Sequence, residues 1–201
     1  MKKWLFNPFE TLAGWSALII GLGVIFITAV IAFYSNTRFD GVIDFHITTS
    51  TSLSGNITEG LIDWLCLSLF VYVSGLLFSR SSIRLIDVAG TQAMARFPCM
   101  LAAVFSFFFF NNNVLHYFKY KLLNTGQPVQ ITGSDILLFS LGMLSTFLML
   151  GWMIVLMYRA YCVSCNMKGA KAVFSFVACV IFAEILSKIL ISFLVPTQGL
   201  E

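Results

Sequence analysis

The chain has 201 residues, 59% hydrophobic and 10% charged, with twelve Lys and Arg against nine Asp and Glu and a formal net charge of +3. An ordinary soluble domain carries roughly 25% charged residues, so this composition excludes a soluble globular protein and marks an all-α integral membrane protein. The basic excess is too small and scattered for a nucleic-acid binder, and the length admits several spans of about 20 residues with short loops in a single domain.

Residues 1–10, MKKWLFNPFE, set Lys2 and Lys3 beside Trp4, Phe6 and Phe9, a combination suited to an anchor at the headgroup level. No charge occurs from Thr11 to Thr37. That run exceeds the apolar region of a signal peptide and lacks a small-x-small cleavage site, so it predicts a retained first span over 14–34. Residues 38–60 carry Asp40, Asp44, Glu59 and the run TTSTSLSG, and predict an exposed loop whose IDFHITT portion has the β-branched content of a short strand or hairpin. A second span follows over 61–78, with Asp63 near its outer end.

Ser79–Pro98, SRSSIRLIDVAGTQAMARFP, is the longest polar interruption in the hydrophobic second half. Ile83, Ile86, Ala93, Met94 and Phe97 recur on one helical face and Arg84, Asp87 and Thr91 on another. The pattern predicts an amphipathic interfacial segment between spans two and three, with arginines toward phosphates and aliphatics toward acyl chains; a plain connecting loop is the alternative. Pro98 then opens the third span, 98–116, at the position proline tolerates best. This span holds Phe105 and the run Phe107–Phe110, followed by Asn111, Asn112 and Asn113. Three consecutive amides point to different sides of a helix, so the span ends or breaks there; a re-entrant Phe-rich segment, giving four crossings, is the other arrangement.

A short polar turn with Gly126, Pro128 and Gly133 leads to the fourth span, 135–158, where Asp135 complements the helix dipole and Gly142, Ser145 and Gly151 permit close helix approach. Arg159, Lys168 and Lys171 mark a second basic loop, and the fifth span, 172–195, is interrupted by Glu184 and Lys188 and stopped by Pro196. Leu200-Glu201 reads as a tag remnant. Lys2, Lys3, Arg80, Arg84, Arg96, Arg159, Lys168 and Lys171 fall on one side of five spans and only Arg38, Lys119 and Lys121 on the other. This bias places the N-terminus in the cytoplasm and the C-terminus outside.

Three stretches resemble the Yip1 (Yip1/YIF) family, in its short bacterial form: NPFETLAGW near the N-terminus, the basic segment ending in ARFPCML, and GWMIVLMYRAYCVSCNMKGAKAVFSFV, where a span runs into a small basic loop. The resemblance implies a five-span membrane domain with no catalytic signature. Eukaryotic members of that family interact with Rab-type GTPases. Here the family's acidic-Leu-x-Gly-Pro signature is echoed only by Glu10, Leu12 and Gly14, with Trp15 where proline stands, which counts against GTPase binding.

Glu184 and Lys188, one helical turn apart in the favourable order, are the first candidates for an intramembrane polar site, with Asn111, Asn112 and Asn113 beside them. They serve either a ligand, ion or proton or a structural bridge with Lys188 snorkelling outward. Arg80, Arg84, Arg96, Arg159, Lys168 and Lys171 are the candidates for lipid or partner contact. Cys162-x-x-Cys165 is half of a zinc site without its other half, since Cys66, Cys99 and Cys179 lie in spans and His46 and His116 on the outer side. No phosphate loop, HExxH or nucleophile elbow is present, so no catalytic residue, metal or cofactor is expected. The expected partners are membrane lipids, other membrane proteins or a second copy of the chain. The reading is a non-enzymatic membrane organiser; the alternative is a small transporter or lipid-handling protein built on Glu184 and Lys188.

Overall fold

The charge-free run after Thr11 can satisfy its backbone in an apolar surrounding only by coiling, and it forms helix α1, Gly14–Tyr34. The structure, a computed structural model, describes residues 5–48, 51–110, 112–124 and 130–195; Lys2, Lys3, Trp4, Asn111, Gly126, Pro128, Pro196 and the terminal Leu200-Glu201 lie outside these. After α1 come β1 (Thr37–Arg38) and β2 (His46–Ile47), then α2 (Leu53–Phe78), α3 (Leu85–Met94), α4 (Phe97–Phe109), α5 (Asn112–Leu123), α6 (Gly133–Ser164) and α7 (Gly169–Leu194). Five helical stretches are long and apolar enough to cross a membrane: α1, α2, α3 with α4, α6 and α7.

Each of the five expected spans thus falls on a helical stretch long and apolar enough to cross a membrane, with shifted bounds. Both α2 and α6 begin earlier, because each has a capping residue upstream of its apolar run. The Ser52 hydroxyl accepts from the Gly55 amide, and Thr132 and Asp135 cap each other reciprocally at the start of α6. At the far end of α6 the chain turns off through Asn166 in the left-handed region (φ 49°), with the Met167 amide reaching the Cys162 carbonyl.

The largest correction concerns the segment before Pro98. It was expected at the lipid boundary; instead α3 is the first part of the third candidate span, packed between α1, α2 and α6, with Val88, Gly90, Thr91, Gln92 and Ala93 buried. Its polar residues do not need water. Thr91 Oγ1 donates back to the Asp87 carbonyl at 2.7 Å, and Gln92 Nε2 donates to the Met157 carbonyl of α6 at 3.1 Å. The indole of Trp64 on α2 binds the Ala89 carbonyl at 2.8 Å. Small residues let the backbones meet. A Cβ on Gly90 would lie 2.6 Å from the Gly14 carbonyl oxygen, and one on Gly21 would lie 2.5 Å from the Met94 amide nitrogen.

The third span is discontinuous. Pro98 cannot donate to the preceding turn, and the chain leaves helical geometry at Arg96 (ψ 1°) before α4 begins. The second correction is where this span ends. It was expected to run to His116, but α4 stops at Phe109 and a separate helix, α5, starts at Asn112. α5 is anchored on α6 through Phe118 against Phe139, ring centroids 6.0 Å apart.

The loop after α1 does form a small hairpin, with Thr37 opposite Ile47 and Arg38 opposite His46. It was expected to be exposed throughout, yet Phe39 and Val42 are buried in the same core as residues of α2, α4, α6 and α7. The turn tucks its apolar side under the bundle.

Candidate functional site

Charged side chains inside an apolar bundle persist where they meet a partner, and α2 carries two acids one turn apart that do so. Glu59 is 1% exposed and forms an ion pair with Arg38 of β1. Asp63, ten residues into α2 and so about 15 Å from its first residue, is fully buried and meets Arg96 at 3.2 Å. Arg96 sits at the two-residue break between α3 and α4. Within the pair Arg96 Nη1 has no hydrogen-bond partner, and neither has the buried Gln92 Oε1 on α3 or Ser68 Oγ on α2. Arg96 also lines a cavity of about 20 Å³ together with Thr28, Asn56, Gly60, Phe39 and Cys99.

Glu184 and Lys188, singled out from the sequence, are near each other at 3.7 Å, but their principal partners lie in the hairpin turn. Glu184 Oε2 accepts from the Ile43 amide at 3.2 Å, and Lys188 Nζ donates to Asp44 Oδ2. His46 Nε2 approaches Asp40 at 3.2 Å and Asp44 at 3.3 Å. Burial pushes the Asp44 carboxyl up, but the hydrogen bonds from Lys188 and the Phe45 amide and the charges of His46 and Lys188 hold it below the ordinary value of 3.8. The hydrogen bond to Glu59, against a cost of burial, raises the Arg38 guanidinium, so its charged form is favoured. Asp40, Asp44 and His46 offer three ligand atoms within 4.8 Å of one another, and Lys188 already supplies a positive charge there. The arrangement is a latch between α7 and the hairpin.

The asparagine cluster is only partly covered by the described residues. Asn111 lies outside them, Asn112 opens α5 with its side chain undescribed, and Asn113 is exposed on α5. Of the basic candidates, Arg80, Arg84, Arg159, Lys168 and Lys171 are exposed at the end of the bundle where α2 and α6 finish and α3 and α7 start. Arg84 faces Asp87 at 3.8 Å, and Lys171 binds the Phe78 carbonyl at 3.3 Å and lies over its ring. Arg96 does not belong with them. Its side chain is 5% exposed and paired with Asp63, which removes it from lipid contact.

Sequence reasoning missed Asp63–Arg96 and Glu59–Arg38. The usable signal was an acid pair four residues apart at the start of an apolar span, which requires two cations from elsewhere in the chain. The Cys162-x-x-Cys165 motif closes α6, with Cys165 buried and Cys162 half-buried. Compared with known families, curated proteins and solved structures, the chain matches none.

Proposed function

We propose that the chain is a multi-pass membrane protein of the Yip1 type that acts without covalent catalysis, organising the membrane or binding partners through its helices and its basic end. The observation that carries this reading is the use made of the interior charges. Asp63 with Arg96, Glu59 with Arg38, and Glu184 and Lys188 with the hairpin each tie one element to another, so they hold the bundle closed. The interior cavity beside Arg96 is of water size. The larger space, about 350 Å³, is a wholly apolar groove between α1 and α4, lined by Ile31, Tyr34, Val104, Phe107 and Phe108, which suits acyl chains.

Meanwhile α6 presents Leu137, Leu141, Leu144 and Leu148 uncovered, a face for lipid or another helix. The bacterial cytoplasmic membrane, with the N-terminus inside and the C-terminus outside, is the setting we propose from the Lys and Arg bias. Photocrosslinking in native membranes from positions 84 and 144 tests the reading. Capture of one defined protein, or of a second copy of the chain, is the expected result; lipid alone from both positions overturns partner binding.

A second reading, a small transporter or lipid-handling protein, is favoured by one feature. A broken span with an ionisable pair at its break is how many transporters build a midplane site. Loss of solute or lipid flux in Asp63→Leu/Arg96→Met with the fold intact would select it.

A further inference from the structure

The guanidinium of Arg96 is nine-tenths buried yet incompletely bound. Nη2 reaches Asp63 Oδ2 at 3.2 Å, while Nη1 has no protein acceptor. Leaving a charged donor unmet in the middle of an apolar bundle is costly. Arg96 also borders the cavity of about 20 Å³ between α1, α2 and α4, and a polar cavity above roughly 10–15 Å³ has room for a water.

Two further polar groups border the same space, and each has acceptor capacity left. Thr28 Oγ1 donates its own proton to the Val24 carbonyl at 2.7 Å, which leaves its lone pairs free. Asn56 Oδ1 accepts from Thr51 at 2.6 Å while its amide donates to the Ala29 carbonyl, so one lone pair of Oδ1 remains. The walls between them, Ile25, Ala29, Ala32 and Phe39, are apolar. One donor from a cation and two acceptors match the about three hydrogen bonds of a typical buried water.

We infer that this cavity is a built-in water site in which one water accepts from Arg96 and donates to Thr28 and Asn56. The water hydrates one edge of the guanidinium while Asp63 neutralises the other. It thereby lowers the cost of burying the pair, and it ties the α3–α4 break to α1 and α2 through groups that do not touch Arg96 directly. Phe39 covers the site from the hairpin side.

The inference predicts the opposite sign from an empty cavity. Filling an apolar void with an extra methyl group commonly stabilises, whereas expelling a water that Arg96 needs destabilises. The test is X-ray radiolytic labelling in ¹⁸O-water of the full-length protein in lipid nanodiscs, read by mass spectrometry at two buried cysteines. Cys99 lines the cavity; Cys165, 0% exposed, serves as its internal control. The expected result is several-fold more ¹⁸O on Cys99 than on Cys165, lost in Ala29→Val together with a lower melting temperature. Equal labelling of the two cysteines in the unaltered protein overturns the inference. That comparison needs no variant to fold.

Discussion

Asp63 and Arg96 face each other at 3.2 Å with almost no exposure, so the contact is valued by what happens when one partner is lost. Removing one member of a buried pair leaves an uncompensated charge and typically costs 3–5 kcal/mol, whereas replacing both by apolar groups can be neutral. Asp63→Leu should therefore lower stability by about 3–5 kcal/mol, and the double Asp63→Leu/Arg96→Met should recover most of it, as read by denaturant unfolding of the detergent-solubilised protein. A loss in the double variant equal to the sum of the two single losses would show that the pair is not coupled. At the latch, the Asp44 carboxyl is held below its ordinary 3.8, so its stabilisation is present above that value and is lost as pH falls through the lower folded value. The melting temperature of the natural protein should exceed that of Asp44→Asn at neutral pH, with the gap closing below about pH 4.

The element that departs most from its pattern is α3. Its spacing predicts an amphipathic surface segment with Thr91 toward water, but Thr91 and Gln92 are buried, because an internal interface suits Thr and Gln as well as a water-facing one when backbone carbonyls accept their hydrogen bonds. The intimate contact with α1 rests on Gly90 and Gly21, where any Cβ would fall within 3 Å of backbone. Gly90→Leu should thus destabilise by more than the roughly 1–3 kcal/mol of ordinary overpacking, measured by loss of monodisperse folded protein and a lower melting temperature. Gly151 on α6 meets nothing within 4 Å, and Gly151→Leu should leave the same measurements unchanged. For α7, contact is made mainly with α2 and only slightly with α6. The latch to the hairpin therefore matters: Glu184→Gln should loosen the outer half of α7 and raise amide exchange there, leaving α1 and α3 unaffected.

Across the whole molecule, α6 is 32 residues long, about 48 Å, against a hydrocarbon thickness of about 30 Å. In the proposed membrane setting, one end stands out of the apolar layer or the helix tilts. The proposed sidedness makes a direct prediction. A cysteine replacing Arg84 in a background without native cysteines should react with a membrane-impermeant thiol reagent only in inverted vesicles, and one replacing Tyr120 only in right-side-out cells. The reverse pattern would invert the orientation.

Hydropathy, charge and proline placement were enough to find five helices long and apolar enough to span, because backbone satisfaction in an apolar medium is a local requirement that each stretch meets by itself. The hairpin and Glu184 with Lys188 were legible for the same reason, as short-range patterns. Partnerships were not. Asp63 with Arg96 lies 33 residues apart in the chain and Glu184 with Ile43 141 apart, and nothing local distinguishes an arginine aimed at phosphate from one aimed at a buried aspartate. Only packing decided that α3 turns inward, because the decisive quantity is whether Gly90, Gly21 and the Met157 carbonyl meet it there. That is a property of three helices at once.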